Sequence, residues 1–202
     1  MAYSDFTLQA LKQQFDLVLV ETTGTFRACP PCQPAAWLLS FLETNIPLAL
    51  AINTEKARSE LIVAPLLVEL RNQAQGKISL FSGTEFNVDS SLGLNGRVDF
   101  LLSRSPEQLA IEAPVATIVE AKNENLNAGI PQCIAELIAA SRFNQQHGNA
   151  IPCLYGSVTT GNLWKFLRLE GNQVTLDLQE YALDPVERIF GILSQSIDRS
   201  DL

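Results

Sequence analysis

Apolar residues recur at helical spacing in two early segments. Phe6, Leu8, Leu11 and Phe15 predict a short amphipathic helix over residues 5–16, and Trp37, Leu38, Phe41 and Leu42 predict another over 35–44. The stretch between them, DLVLVETTGTFRACPPCQP, reads as an extended piece followed by a loop. Thr54 is placed to cap a long helix over residues 55–71, EKARSELIVAPLLVELR. Its apolar residues, from Leu61 to Leu70, cover most of the circumference, so this helix should be largely buried. Pro65 removes one backbone donor and predicts a kink. Glu60 sits at the edge of the apolar run, on a face shared with Ala57, Ala64 and Leu67, where a carboxylate either points out at the rim or has a partner.

The period then shortens to that of strands. KISLFSG and TEFNVD read as one strand bent at Gly83, LNGRVDFLLS as a turn at Asn95-Gly96 followed by a strand, and APVATIVEAK as a third strand after Pro114. Asn127-Ala128-Gly129 leads into a helix over 130–143, with Pro131 fitting its first turn. IPCLYGSVTT, LWKFLRLE and QVTLDLQEY follow, joined by hairpins at Gly161-Asn162 and Gly171-Asn172, and a last helix spans 185–196. The order helix, three strands, helix, strands, helix predicts an α/β (α+β) domain with a mixed sheet flanked by helices.

Length fits one domain over residues 1–202, divided into an N-terminal helical extension (1–50), a core (55–169) and a C-terminal strand and helix (170–202). With 47% apolar and 18% charged residues the chain belongs with globular proteins. The net charge of −8 has the wrong sign for holding nucleic acid by bulk electrostatics, so any such role rests on a local basic patch or on bound cations. Asp5, Lys12 and Asp16 interrupt the start where a secretory signal would be apolar, and no run approaches the ~18 residues of a membrane span; a cytoplasmic protein without membrane contact is expected. Cys29-Pro30-Pro31-Cys32 has the spacing of a redox or zinc half-site. Cys133 and Cys153 form no second close pair and His147 is the only histidine, so a Pro-rich turn without zinc is expected. His147 reads as exposed, and Trp164 and Phe166 as core residues rather than a stacking platform for bases.

One junction remains. The run Thr117-Ile118-Val119 leads straight into Glu120-Ala121-Lys122, which is either a strand end turning polar at the surface or a site. Strand alternation puts Glu120 and Lys122 on one face. Asp99 lies at the centre of the preceding strand, and pairing of the two strands would bring it to Glu120. Two carboxylates at one place repel unless a cation joins them, and a hard ion such as Mg²⁺ suits an oxygen-only site.

Gly96-Arg97-Val98-Asp99-Phe100 followed by Val119-Glu120-Ala121-Lys122 resembles the split motif of the PD-(D/E)XK (restriction endonuclease-like) nuclease superfamily. The predicted α–β–β–β–α–β order resembles its core. RSELIVAPLL, with Glu60, is similar to the acidic helix of type I restriction subunit nuclease domains, and Gln132 matches a glutamine that several subfamilies place beside the lysine. The proline usually found before the Asp is replaced by Val98. The resemblance implies metal-dependent hydrolysis of nucleic acid, DNA first, by Glu60, Asp99, Glu120, Lys122 and Gln132. Mg²⁺ (or Mn²⁺) would be held by Asp99, Glu120 and the Ala121 carbonyl, with Lys122 positioning the attacking water or stabilising the transition state. It also implies a homodimer that cuts two strands. A catalytically inactive binding or assembly module on the same fold is the alternative.

Overall fold

The architecture comes from a computed structural model, which describes residues 1–198. The helices are α1 (Leu8–Phe15), α2 (Ala36–Ile52), α3 (Glu55–Arg58), α4 (Ala64–Gln73), α5 (Leu126–Gln146) and α6 (Val186–Ile197). The strands are β1 (Val18–Thr22), β2 (Ser79–Glu85), β3 (Arg97–Ser103), β4 (Val115–Ala121), β5 (Leu154–Thr159), β6 (Leu163–Glu170), β7 (Gln173–Asp177) and β8 (Tyr181–Ala182). They form one mixed sheet in the order β1-β7-β6-β5-β4-β3-β2, with β8 pairing onto β6. Two pairs are parallel, β4 with β5 and β1 with β7. The helix–β2–β3–β4–α5–β5 succession has the predicted order, but the sheet has more strands than predicted. The first fifty residues, expected to be a helical extension, donate β1 to its edge.

Each face of the sheet carries its own core. On one face α5 lies across β4 and β5, with Ile118, Ile134, Leu137, Val158 and Leu167 among the buried residues. On the other, α4 and α6 cover Phe100, Leu102, Val119, Trp164 and Phe166. Trp164 and Phe166 stack at 6.0 Å, in the core as expected. Strand β4 is buried at every position, because helices cover both of its faces and strands flank both of its edges.

Three helices differ from their predicted form. The long helix after Thr54 is not one continuous α-helix. It passes through a π turn over Ser59–Val63, where the amide of Ala64 reaches back to the carbonyl of Ser59. Proline lacks an amide proton and its ring crowds the carbonyl four residues back, so one wider turn upstream absorbs the misfit. Helix α5 begins at Leu126, with Asn125 capping the amide of Asn127, so Pro131 lies inside the helix and not in its first turn. Helix α2, predicted over 35–44, runs on through Pro47 to Ile52.

Asp177 ties β7 to the loop after β1. Its buried carboxylate accepts from the amides of Gly24 (2.8 Å), Phe26 (3.3 Å) and Gln179 (3.0 Å) and from the Tyr181 hydroxyl (2.8 Å). Burial works against the charge, but the donors outweigh it and hold the pKa below the ordinary 3.8. A lowered carboxylate pKa stabilises the fold above the unfolded value, and that contribution is lost as pH falls through the folded value. Asp177→Ala is expected to cost about 2–4 kcal/mol at neutral pH, with the gap from wild type narrowing toward about pH 2; urea unfolding of both proteins across the acid range measures it.

Candidate functional site

The antiparallel register of β3 with β4 runs from Ser103 opposite Val115 to Phe100 opposite Val119, so Asp99 and Glu120 are the next residues on the two strands. Their side chains therefore share the α5 face of the sheet. The Asp99 carboxylate accepts the amide of Ala121 at 2.8 Å. Gly83 of β2 lies between the pairs Ser82–Phe100 and Thr84–Val98, thus on the other side of Asp99, and leaves open space where a side chain would stand.

Glu120 is 1% exposed. A strand end turning polar at the surface is therefore not what this junction is. One of its carboxylate oxygens accepts from the Lys122 ammonium, while Oε2 is buried without a hydrogen-bond partner. Lys122 continues the strand through its amide, which donates to Thr159 of β5 at 2.8 Å. Its aliphatic stem runs past Gly129 of α5, where an added Cβ would come within 3.1 Å of Lys122 Cγ and 2.6 Å of Val158 Cγ1. Gly129 thus gives α5 the close approach that Lys122 needs.

The Lys122 ammonium also donates to Gln132 Oε1 at 3.3 Å, and Gln132 Nε2 donates to Glu136 Oε1 at 3.1 Å. Glu136 is completely buried and its Oε2 has no hydrogen-bond partner. It lies one helical turn beyond Gln132, on a face that helical spacing alone would leave as a plain polar face. The fold turns that face onto the sheet. Lys165 of β6 joins the same surface, since Glu120 pairs with Val158 and Val158 with Lys165. Its buried ammonium donates to Asn127 at 2.8 Å, at the start of α5, and lies 3.6 Å from Glu180.

Asp99, Glu120, Lys122 and Gln132 are thus brought together, and Glu60 is not part of that network. Its exposed carboxylate pairs with Lys56 at 3.1 Å, one turn back. Glu55 is the residue of this helical segment whose charge acts on both Glu120 and Lys122. Five residues along a helix turn about 140°, so the two acids face different ways. Glu55 directly follows the Thr54 cap, and that capping signal was the available clue to its placement at the helix start. Glu136, Gly129 and Lys165 carried no such signal. Arg97, on the Asp99 face, pairs with Glu85 at 3.4 Å.

No protein-family model, curated protein or solved structure matches this chain. The chemistry of the site therefore rests on its own geometry.

Burial, then the nearby Asp99, push the Glu120 carboxyl up to about 8, against the opposing pull of Lys122. Glu136 is raised well above the carboxylate range by burial and then by Glu120. Burial disfavours the charge on Lys122, but Glu120 outweighs it and raises the pKa. Acids outnumber bases here, and the excess negative charge favours a cation. Among the described residues, however, no group of three or more His, Cys, Asp and Glu side chains is arranged to hold a metal ion. Cys29 and Cys32 are free thiols, half-buried beside α6.

A carboxyl whose folded pKa is raised binds more protons folded than unfolded, so its contribution is full below the ordinary 4.5 and is lost as pH rises through about 8. With chelator present, wild type should lose thermal stability from about pH 5 to 8, part of the fall coming from Glu136. Glu120→Gln should reduce that fall and melt a few °C higher than wild type at about pH 8, as scanning calorimetry over this range would show. Equal slopes for the two proteins would count against a strained Glu120.

Proposed function

We propose that the chain is a divalent-metal-dependent nuclease with a restriction endonuclease-like core, acting on nucleic acid, DNA first. The observation that carries this is the buried Glu120, with one oxygen unpartnered, close enough to Asp99 to feel its charge and held beside Lys122. The donor set fits a hard cation: two carboxylates on neighbouring strands, the Ala121 carbonyl at the end of β4, and a further negative charge from Glu55. The ion would draw the rest of its coordination from water and phosphate oxygens. Bound there, Mg²⁺ or Mn²⁺ would acidify a water molecule and neutralise charge on the scissile phosphate.

The chain's own residues supply the remainder. Lys122 presents its ammonium where charge grows on the phosphate, and Gln132, backed by Glu136, fixes the direction of that ammonium. Asp99 locks the turn-out of β4 through the Ala121 amide. Lys165, six per cent exposed, adds a positive charge on the same face of an otherwise acidic molecule. The helix–β2–β3–β4–α5–β5 succession supports a restriction endonuclease-like core. A homodimer would deliver two such sites to two strands. The lack, among the described residues, of a cluster of three acids arranged for a metal favours a second reading, a binding or assembly module that retains the charges as an ion-paired network.

Incubating the purified chain with end-labelled single- and double-stranded DNA and RNA, with Mg²⁺, Mn²⁺ or chelator, separates the two. Cleavage is expected only with metal, and Lys122→Ala is expected to lose about 10²–10³ in rate while its thermal midpoint changes little. Asp99→Ala should instead weaken the metal-induced rise in thermal midpoint. No cleavage of any substrate, together with a midpoint that neither metal moves, would leave the binding module.

A further inference from the structure

Helix α2 carries one charged residue, Glu43, in seventeen positions, and it is apolar around most of its circumference. Such a helix is ordinarily buried on all sides. Here only Leu38, Leu42 and Ala49 are buried, while Trp37, Leu48, Leu50 and Ile52 stand exposed, Leu48 at 50% and Ile52 at 49%. Beside it opens a cavity of about 620 Å³. One wall is an α2 stripe at helical spacing, Leu39, Leu42, Glu43, Ile46 and Pro47; Leu50 continues it one turn on. The other wall is formed by Ala182, Leu183 and Val186, where β8 leads into α6.

The charges around this groove have one sign. Glu43, Asp184 and Glu187 line it, no lysine or arginine does, and none of the three has an ion pair among the described residues. Apolar exposure also extends past the cavity along a helix roughly 25 Å long, further than a small ligand covers. A second copy docked face to face would set acid against acid in a protein already at −8.

We propose that the groove between α2 and the start of α6 is the docking site for a basic amphipathic segment of a protein partner. Its aliphatic side chains would fill the groove, and its lysines or arginines would meet Glu43, Asp184 and Glu187. The groove lies on the sheet face opposite Glu120, so the inference is independent of the proposed chemistry.

The probe is a fluorescein-labelled leucine–lysine amphipathic helix of about four turns, with its leucine–glutamate counterpart as control, titrated with the full chain by anisotropy. Saturable, salt-weakened binding of the lysine peptide alone is expected. The double variant Glu43→Lys/Glu187→Lys should weaken it about tenfold or more, and Leu50→Glu, at an exposed position, should also weaken it. A charge-matched control, Glu21→Lys/Glu85→Lys on the two edge strands, should bind as wild type. Circular dichroism confirms that each variant is folded. Equal binding of both peptides, equal loss in both double variants, or absence of saturable binding would overturn the proposal. So would sedimentation showing a dimer of the chain that Leu50→Glu dissolves.

Discussion

The carboxylate of Glu120 sits in the interior at the end of a fully buried strand, and most of the site's construction answers the cost of that placement. An unpaired charge there would be expensive by several kcal/mol, and in practice such a group takes up a proton or finds a cation. Lys122 meets one of its oxygens and leaves the other without a partner. For Lys122 to lie there, α5 must come close to β4, which the missing side chain of Gly129 permits. A methyl group at that position would press on both Lys122 and Val158.

The helix that makes this approach also sets the site's polarity. Asn125 caps α5 where β4 ends, and Asn127 then takes the ammonium of Lys165. Further along the helix, Gln132 accepts from Lys122 and donates to Glu136, so a single amide links a half-buried ammonium to a buried acid. Parallel β4 and β5 are joined by α5 itself, which leaves the carboxyl ends of both strands together. Loops diverge at such ends and leave room for a ligand.

The two sheet faces divide the labour. The α5 face concentrates titratable groups in low-dielectric surroundings, where their interactions are strong. The opposite face holds an aromatic core covered by α4 and α6, with α2 packed on the helical layer outside it and its outward side left apolar with an acidic rim. On the α5 face Asp99, Glu120 and Glu136 outnumber Lys122 and Lys165, and on the other face Glu43, Asp184 and Glu187 line the groove without a lysine or arginine.

The alternation along β4 and the hairpins at Gly161 and Gly171 were legible in the sequence, because strand and turn signals depend on a few adjacent residues, whereas the turn expected at Asn95-Gly96 is made earlier, over residues 90–93, inside the Asp89–Leu94 bridge. Alternation also placed Glu120 with Lys122, and a pairing of neighbouring strands placed Asp99 with them. What tertiary structure decided was burial and orientation. Glu136 reads as a surface residue until α5 turns its polar stripe inward, and Glu60 loses its place to Glu55 because a π turn and the helix start set which face looks at the sheet. The parallel pairing of β1 with β7 joins residues some 150 positions apart, and no local pattern encodes a partner at that distance. Local sequence determined which residues alternate, turn and cap; which of them share a dry, charged surface was set by the packing of α5 on the sheet.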